Sequence, residues 1–511
     1  MINIDGHHLN LDEIIRVARL NKPVSLKPAA EKAINRAQRW LAGIAAEDKA
    51  FYGINTGLGS FSTKRIPDGE SARLSRNLIL SHAVGCGPAL PIEVVRAAML
   101  IRANALAKGY SGIRLEVIKT LLVMLNKGII PVVPSQGSLG SSGDLIPLAH
   151  LCLVLTTDKR DRDDESGQVE FDGRIMSGRA AMKKAGIPRV ILGPKEGLAL
   201  INGATFSAAI AALAVFDTAR LLDQADICLA LSLEALQGCP AAFDPRLHEV
   251  RGHDGQQAVA KRIRDLTRGS TLFTGERRVQ DAYSLRCAPQ VHGAARDYFQ
   301  RVRRTVEDEV NAATDNPLVF GPGEVLSGGN FHGEPLAFAM DTLKILMAEL
   351  GAISERRTFR LLDSNLNDGL PPMLVDNLES GGLNSGLMMP QYAAASLVLE
   401  NQTLAQPDSV HSLPVSANQE DHNANAMTSA RHAQQIVTNV TRILSIEAYT
   451  AARALDLRIR QVKNGRLGAG TEVAYHIIRK TIPYQAGDIW WGPELDSMTA
   501  LLRNGKFGEY K

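Results

Sequence analysis

From Gln419 to Arg458 no proline or glycine interrupts the chain, and Val437, Val440, Leu444, Ala448, Ala451 and Leu455 recur at steps of three and four. Apolar positions so spaced share one face of an α-helix, so a very long helix is predicted there. A second is predicted from about Glu334, with Pro335 suited to its first turn, to about Leu362, and a third from about Ser385 to Ala405. Helices of this length need each other to bury their apolar faces. The expected class is therefore mainly α: a long antiparallel helical bundle.

Two segments depart from that pattern. "GLALINGATFSAAIAALAVF", Gly197 to Phe216, has the length of a membrane span. Its Asn202, Thr205 and Ser207, and the flanking Glu196 and Asp217, fit better with a helix at the centre of a soluble bundle. Asp158 to Gly178, "DKRDRDDESGQVEFDGRIMSG", is charged, then alternating, with a DG turn signal; a surface loop and a small β-hairpin are predicted. No repeat or linker marks a domain edge. The working division is an N-terminal part, 1–200, and a helical part, 201–511.

Charge narrows the partners. Lys and Arg number 57 against 54 Asp and Glu, without a long single-sign block, which does not suggest a nucleic-acid or membrane partner. The N-terminal "MINIDGHHLNLDEIIRVARL" lacks the basic region and apolar core of a secretory signal, and a cytoplasmic protein is expected. Cys86, Cys152, Cys228, Cys239 and Cys287 form no CxxC pair, so neither a disulfide framework nor a zinc knuckle is expected. In "HEVRGH" the histidines are five apart rather than four, which does not suit a zinc helix.

The candidate chemistry centres on "GSLGSSGD", Gly137 to Asp144. It lacks the lysine of a phosphate-binding loop and the strand and spacing of a nucleophile elbow. Prolines precede it and an apolar helix is predicted from about Asp144, so the loop is held at both ends. It resembles the signature of the aromatic amino acid ammonia-lyases, in which Ala-Ser-Gly cyclises into 3,5-dihydro-5-methylidene-4H-imidazol-4-one (MIO). Ser141, Ser142 and Gly143 correspond, with Ser141 in place of the usual alanine. The amide nitrogen of Gly143 must attack the carbonyl carbon of Ser141, a fold that suits a residue without Cβ. Loss of the Ser142 hydroxyl as a second water leaves the methylidene. The Ser141 side chain stays outside the ring, so serine is acceptable there. The helix N-terminus would favour the negative charge that builds on attack.

The resemblance runs along almost the whole chain and implies further roles. Tyr52, in "YGINTGLG", corresponds to the catalytic base, which demands cationic or donor groups that lower a phenol's pKa. Arg286 would grip the substrate carboxylate, while Asn202, Gln280 and Tyr283 orient substrate and electrophile. Phe331, in "SGGNFHGEP", would shape the pocket, and Gln419 and Glu420, in "SANQEDH", would stand at the start of the longest helix. His82, Met388 and Glu420 follow the histidine-acting members; plant phenylalanine lyases carry Phe or Leu, Lys and Gln there. After His422 this chain reads Asn423-Ala424-Asn425 where histidine-acting members usually read Val-Ser-Met. The resemblance implies elimination of ammonia from an aromatic amino acid, histidine first, in a homotetramer with sites built by several subunits. No metal or dissociable cofactor is implied. Action on phenylalanine or tyrosine, a 2,3-aminomutase and an inactive helical scaffold are the alternatives.

Overall fold

The computed structural model describes residues 1–507 apart from 46–49, 58, 62, 68, 276–278 and 506. Helices dominate, and no sheet among the described residues exceeds three strands. The predicted hairpin is present: Gln168–Phe171 pairs antiparallel with Arg174–Ser177. Its turn residues, Asp172 (φ 51°) and Gly173 (φ 70°), are both left-handed, as a two-residue hairpin turn of this hand requires. Ile130–Pro131 adds a third strand.

The chain forms two compact units. The first comprises Met1–Phe216, Arg303–Asp341 and Pro407–Arg431; the second comprises Asp217–Val302, Thr342–Gln406 and His432–Lys511. The working boundary near residue 200 lies close to the first crossing, but both units are discontinuous. The helices Thr205–Ala235, Ala288–Glu309, Glu334–Leu362 and Ala426–Gln461 each contribute residues to both. In the first unit Leu41, Ile44, Phe51, Ile54 and Val319 form one apolar cluster beneath the loop that carries Tyr52. In the second, the stripe Val437, Val440, Leu444, Ala448, Ala451 and Leu455 is buried, as its spacing predicts. Glu447, on the same helix, is also buried, its carboxylate accepting from Arg357 Nη2 at 2.8 Å and from Ser354 and Ser232 hydroxyls at 2.6 and 2.8 Å.

Two helix expectations need correction. The run Gly197–Phe216 is not one helix: Glu196–Ile201 ends at Asn202, which is extended (ψ 130°), and a new helix starts at Thr205. The break exists because Gly203 leaves helical geometry to pair with Gly143. Thr205–Ala235 is long and apolar enough to cross a membrane, and 78% of its most apolar stretch is buried inside the protein.

The longest helix starts at Ala426, not at Gln419. Ser416, Ala417 and Asn418 are all left-handed (φ 52°, 52° and 64°), and Asn425 is too (φ 52°). Ser416 and Ala417 each cost about 1–2 kcal/mol in a left-handed conformation, which asparagine adopts more readily. Gln419 and Glu420 therefore sit in a loop, where Glu420 pairs with Val415 across an antiparallel bridge.

Candidate active site

The loop Gly137–Asp144 leaves the strand Pro134–Gln136 and enters the helix Leu145–Leu155. Gly143 has φ +77°, and a Cβ there would lie 2.1 Å from the carbonyl carbon of Gly203. Only glycine fits. The Gly203 N–H donates to the Ser142 carbonyl at 3.1 Å, and the Asp144 N–H donates back to the Gly203 carbonyl at 2.9 Å. Asp144 precedes the helix without capping it. Its fully buried carboxylate accepts from Ser207 N at 2.7 Å, Ser207 Oγ at 3.0 Å and Ser138 Oγ at 2.8 Å. Burial pushes its pKa up, and those hydrogen bonds oppose the rise.

A cavity of about 700 Å³ opens beside this loop. Ser141 and Ser142 line it together with Tyr52, His82, Asn202, Phe331, Gln419 and Glu420. All eight come from the first unit. Tyr52 stands in the turn after Phe51, whose N–H is held by Asn55 Oδ1 at 2.7 Å. His82 is the last residue of the helix Ser71–His82, and its Nδ1 lies 3.0 Å from Ser81 Oγ. The Ser142 hydroxyl donates to Glu420 Oε1 at 3.3 Å.

Asn202 is buried, with Nδ2 donating to the Asn316 carbonyl at 3.1 Å and to Asp315 Oδ1 at 3.4 Å. Asp315 is itself held by the buried Lys195 ammonium at 2.5 Å. Two acceptors on one side fix the amide's orientation, and Asn202 Oδ1 has no partner among the described residues.

Electrostatics correct one expectation. The Tyr52 phenol is not eased towards ionisation within its own unit: burial pushes its pKa up, the Gly59 backbone N–H opposes this, and Glu420 adds to the rise. The imidazole of His82 is pushed down by burial, against the Leu78 carbonyl and Glu420, which favours its neutral form. A neutral imidazole keeps one donor and one acceptor.

A sequence profile of the aromatic amino acid lyases matches residues 9–480. The chain belongs to the aromatic amino acid lyase family. It is 47% identical over 509 residues to the histidine ammonia-lyase of Caldanaerobacter subterraneus subsp. tengcongensis, covering 99% of this chain and 97% of that one. Among solved structures, the histidine ammonia-lyase of Trypanosoma cruzi is 38% identical with a TM-score of 0.90, covering 99% and 94% of the two chains. The tyrosine aminomutase of Streptomyces globisporus is 34% identical with a TM-score of 0.92, covering 99% and 97%.

Four further positions that the lyase resemblance singles out, Gln280, Tyr283, Arg286 and Met388, belong to the second unit and are not in the lining of this cavity. Tyr283 is 71% exposed. The Arg286 guanidinium lies over its ring at 4.6 Å, and Arg286 Nε donates to the Asp281 carbonyl at 2.9 Å. Three titratable lining residues were not anticipated: His332, Asp421 and His422. The rings of His332 and His422 stack at 5.9 Å with planes 4° apart. Their only signal in the sequence is position, each one or two residues beyond Phe331 or Glu420.

Proposed function

We propose that this lyase eliminates ammonia from L-histidine to give trans-urocanate, and that Ser141, Ser142 and Gly143 cyclise into MIO. The observation that carries the reading is the 3.3 Å approach of Ser142 Oγ to Glu420 in a cavity that also holds His82 and Tyr52. The relatives named as histidine ammonia-lyases support it. The residues fit the group: Gly143 is confined to a backbone that only glycine adopts, and Ser142 carries the hydroxyl that leaves. The Gly203 N–H, already on the Ser142 carbonyl, is the donor that would stabilise charge on that oxygen. Once formed, the group supplies an electrophilic carbon that makes the substrate's amine a better leaving group.

The remaining work falls to side chains. Tyr52 takes the β-proton. Neutral His82 and Glu420 pair with the substrate imidazole, while Phe331 bounds the pocket. Phenylalanine offers neither group a partner, and an unpaired buried polar group costs about 1–3 kcal/mol. Histidine is therefore preferred over phenylalanine. A tyrosine aminomutase shares this fold, so the second reading is the same chemistry with ammonia returned to the β-carbon.

Arg286, Tyr283, Gln280 and Met388 are read as groups offered to the cavity of a neighbouring copy, with Arg286 taking the carboxylate through its two-pronged donor. Exposed apolar side chains on the helices Glu334–Leu362 and Met388–Leu404, among them Ile345, Met389, Tyr392 and Leu399, support assembly into a homotetramer.

Glu420→Gln tests substrate choice. Histidine turnover is expected to fall far more than any residual phenylalanine turnover, because a site built for a polar ring loses discrimination with its polar partner. Equal losses on both substrates would contradict the assignment. The pH profile of the same variant tests the coupling to Tyr52. Glu420 raises the phenol's pKa, so its neutral replacement lowers it, and the ionised base appears at lower pH. The alkaline-going rise of kcat/KM should shift to lower pH in Glu420→Gln; an unmoved or upward-shifted limb would separate Glu420 from the base.

A further inference from the structure

The loop that carries Ser416, Gln419, Glu420, Asp421 and His422 to the cavity is under strain at its tip and fastened at its base. The left-handed run Ser416–Asn418 forms the tip, close enough to the Tyr52 side of the cavity that a Cβ on Gly59 would lie 2.9 Å from Ser416 Oγ. Three consecutive left-handed residues without a glycine persist only where their surroundings determine them. Two asparagines supply that determination.

Asn423 is fully buried, and its side-chain amide pairs with the backbone of Leu413 as another peptide group would. Leu413 N–H donates to Asn423 Oδ1 at 3.0 Å, and Asn423 Nδ2 donates to the Leu413 carbonyl at 2.9 Å. Ser412 Oγ completes the fastening, accepting from Asn423 N–H at 2.9 Å and reaching Oδ1 at 3.3 Å. Two residues on, Asn425 Nδ2 donates to the carbonyls of His411 and Asp408. The Asn425 N–H donates to the Leu139 carbonyl at 3.0 Å, which ties the base of this loop to the reactive loop itself. Between the two fastenings the Val415–Glu420 bridge sets the register in which Glu420 meets Ser142.

We propose that Asn423 is a positioning residue for the elimination: its amide clasp holds the loop so that Glu420 stands against the reactive loop. This rests on the reading of Glu420 as a substrate-contacting group.

The test is a double-mutant cycle. Asn423→Val removes both amide bonds at nearly constant volume, and Ser412→Ala removes the hydroxyl from the same clasp, a milder variant should the first not fold. Asn423→Val is expected to lower kcat/KM for histidine by about 10²-fold, the scale of a misplaced catalytic group. The near-UV absorbance of the cyclised loop should be unchanged. In the Glu420→Gln background the same substitution should have little further effect, because residues acting through one another are non-additive. A large effect of Glu420→Gln alone upholds the reading of Glu420. Equal losses from Asn423→Val, or from Ser412→Ala, in both backgrounds would overturn the positioning role while leaving that reading intact. A negligible effect of Glu420→Gln would instead overturn the reading on which the inference rests.

Discussion

Ser142→Ala is expected to lower ammonia release by at least about 10³-fold while leaving the chain folded, the order seen when a transition-state-stabilising group is removed. The Ser142 hydroxyl is part-buried and, among the described residues, its hydrogen bond is a single contact to Glu420, so its loss leaves the backbone pairing of Gly143 with Gly203 in place. What disappears is the leaving group from which the methylidene forms. Ser141→Ala separates the two serines: its side chain takes no part in ring closure, so the near-UV absorbance and activity should both survive. Wild-type protein and Ser141→Ala should show a peptide lighter by two waters, and Ser142→Ala should not. An unreacted mass in the wild type would remove the electrophile from the account.

Tyr52→Phe should lower kcat by at least about 10²-fold with a smaller change in KM, as loss of a general base requires. The ring still fills its place in the turn after Phe51, so the apolar cluster below it is preserved. The environment sharpens this expectation. Burial and Glu420 both hold the phenol above its ordinary pKa, so the wild-type rate should climb with pH as the base ionises. The variant should lose that climb. A kcat within a few fold of wild type would place the base elsewhere.

What could be read in advance depended on whether the signal was local. Glu334–Leu362 was legible because Pro335, suited to a first turn, marks its start locally. The hairpin was legible because Asp172 and Gly173 carry its turn. The break at Asn202 was not, since small apolar residues on both sides continue the helical pattern and the cause is a distant partner, Gly143. Ala426 was hidden as the true helix start for a related reason. Asparagines leave no periodic trace, and whether Asn423 and Asn425 cap a helix or clasp a loop is decided by Ser412, Leu413 and Leu139. At the site, Ser141, Ser142 and Gly143 were singled out by their resemblance to the lyase signature, and the first two line the cavity. The raised pKa of Tyr52 was not legible, because it arises from burial and, to a lesser extent, from Glu420, remote in sequence.

The most direct test supplies purified protein with L-histidine, L-phenylalanine and L-tyrosine in turn and follows ammonium and organic product together. The account predicts the highest kcat/KM for histidine, one ammonium released with each trans-urocanate formed, and no β-amino acid. Equal or higher kcat/KM for phenylalanine or tyrosine, or accumulation of a β-amino acid without net ammonium, would contradict it.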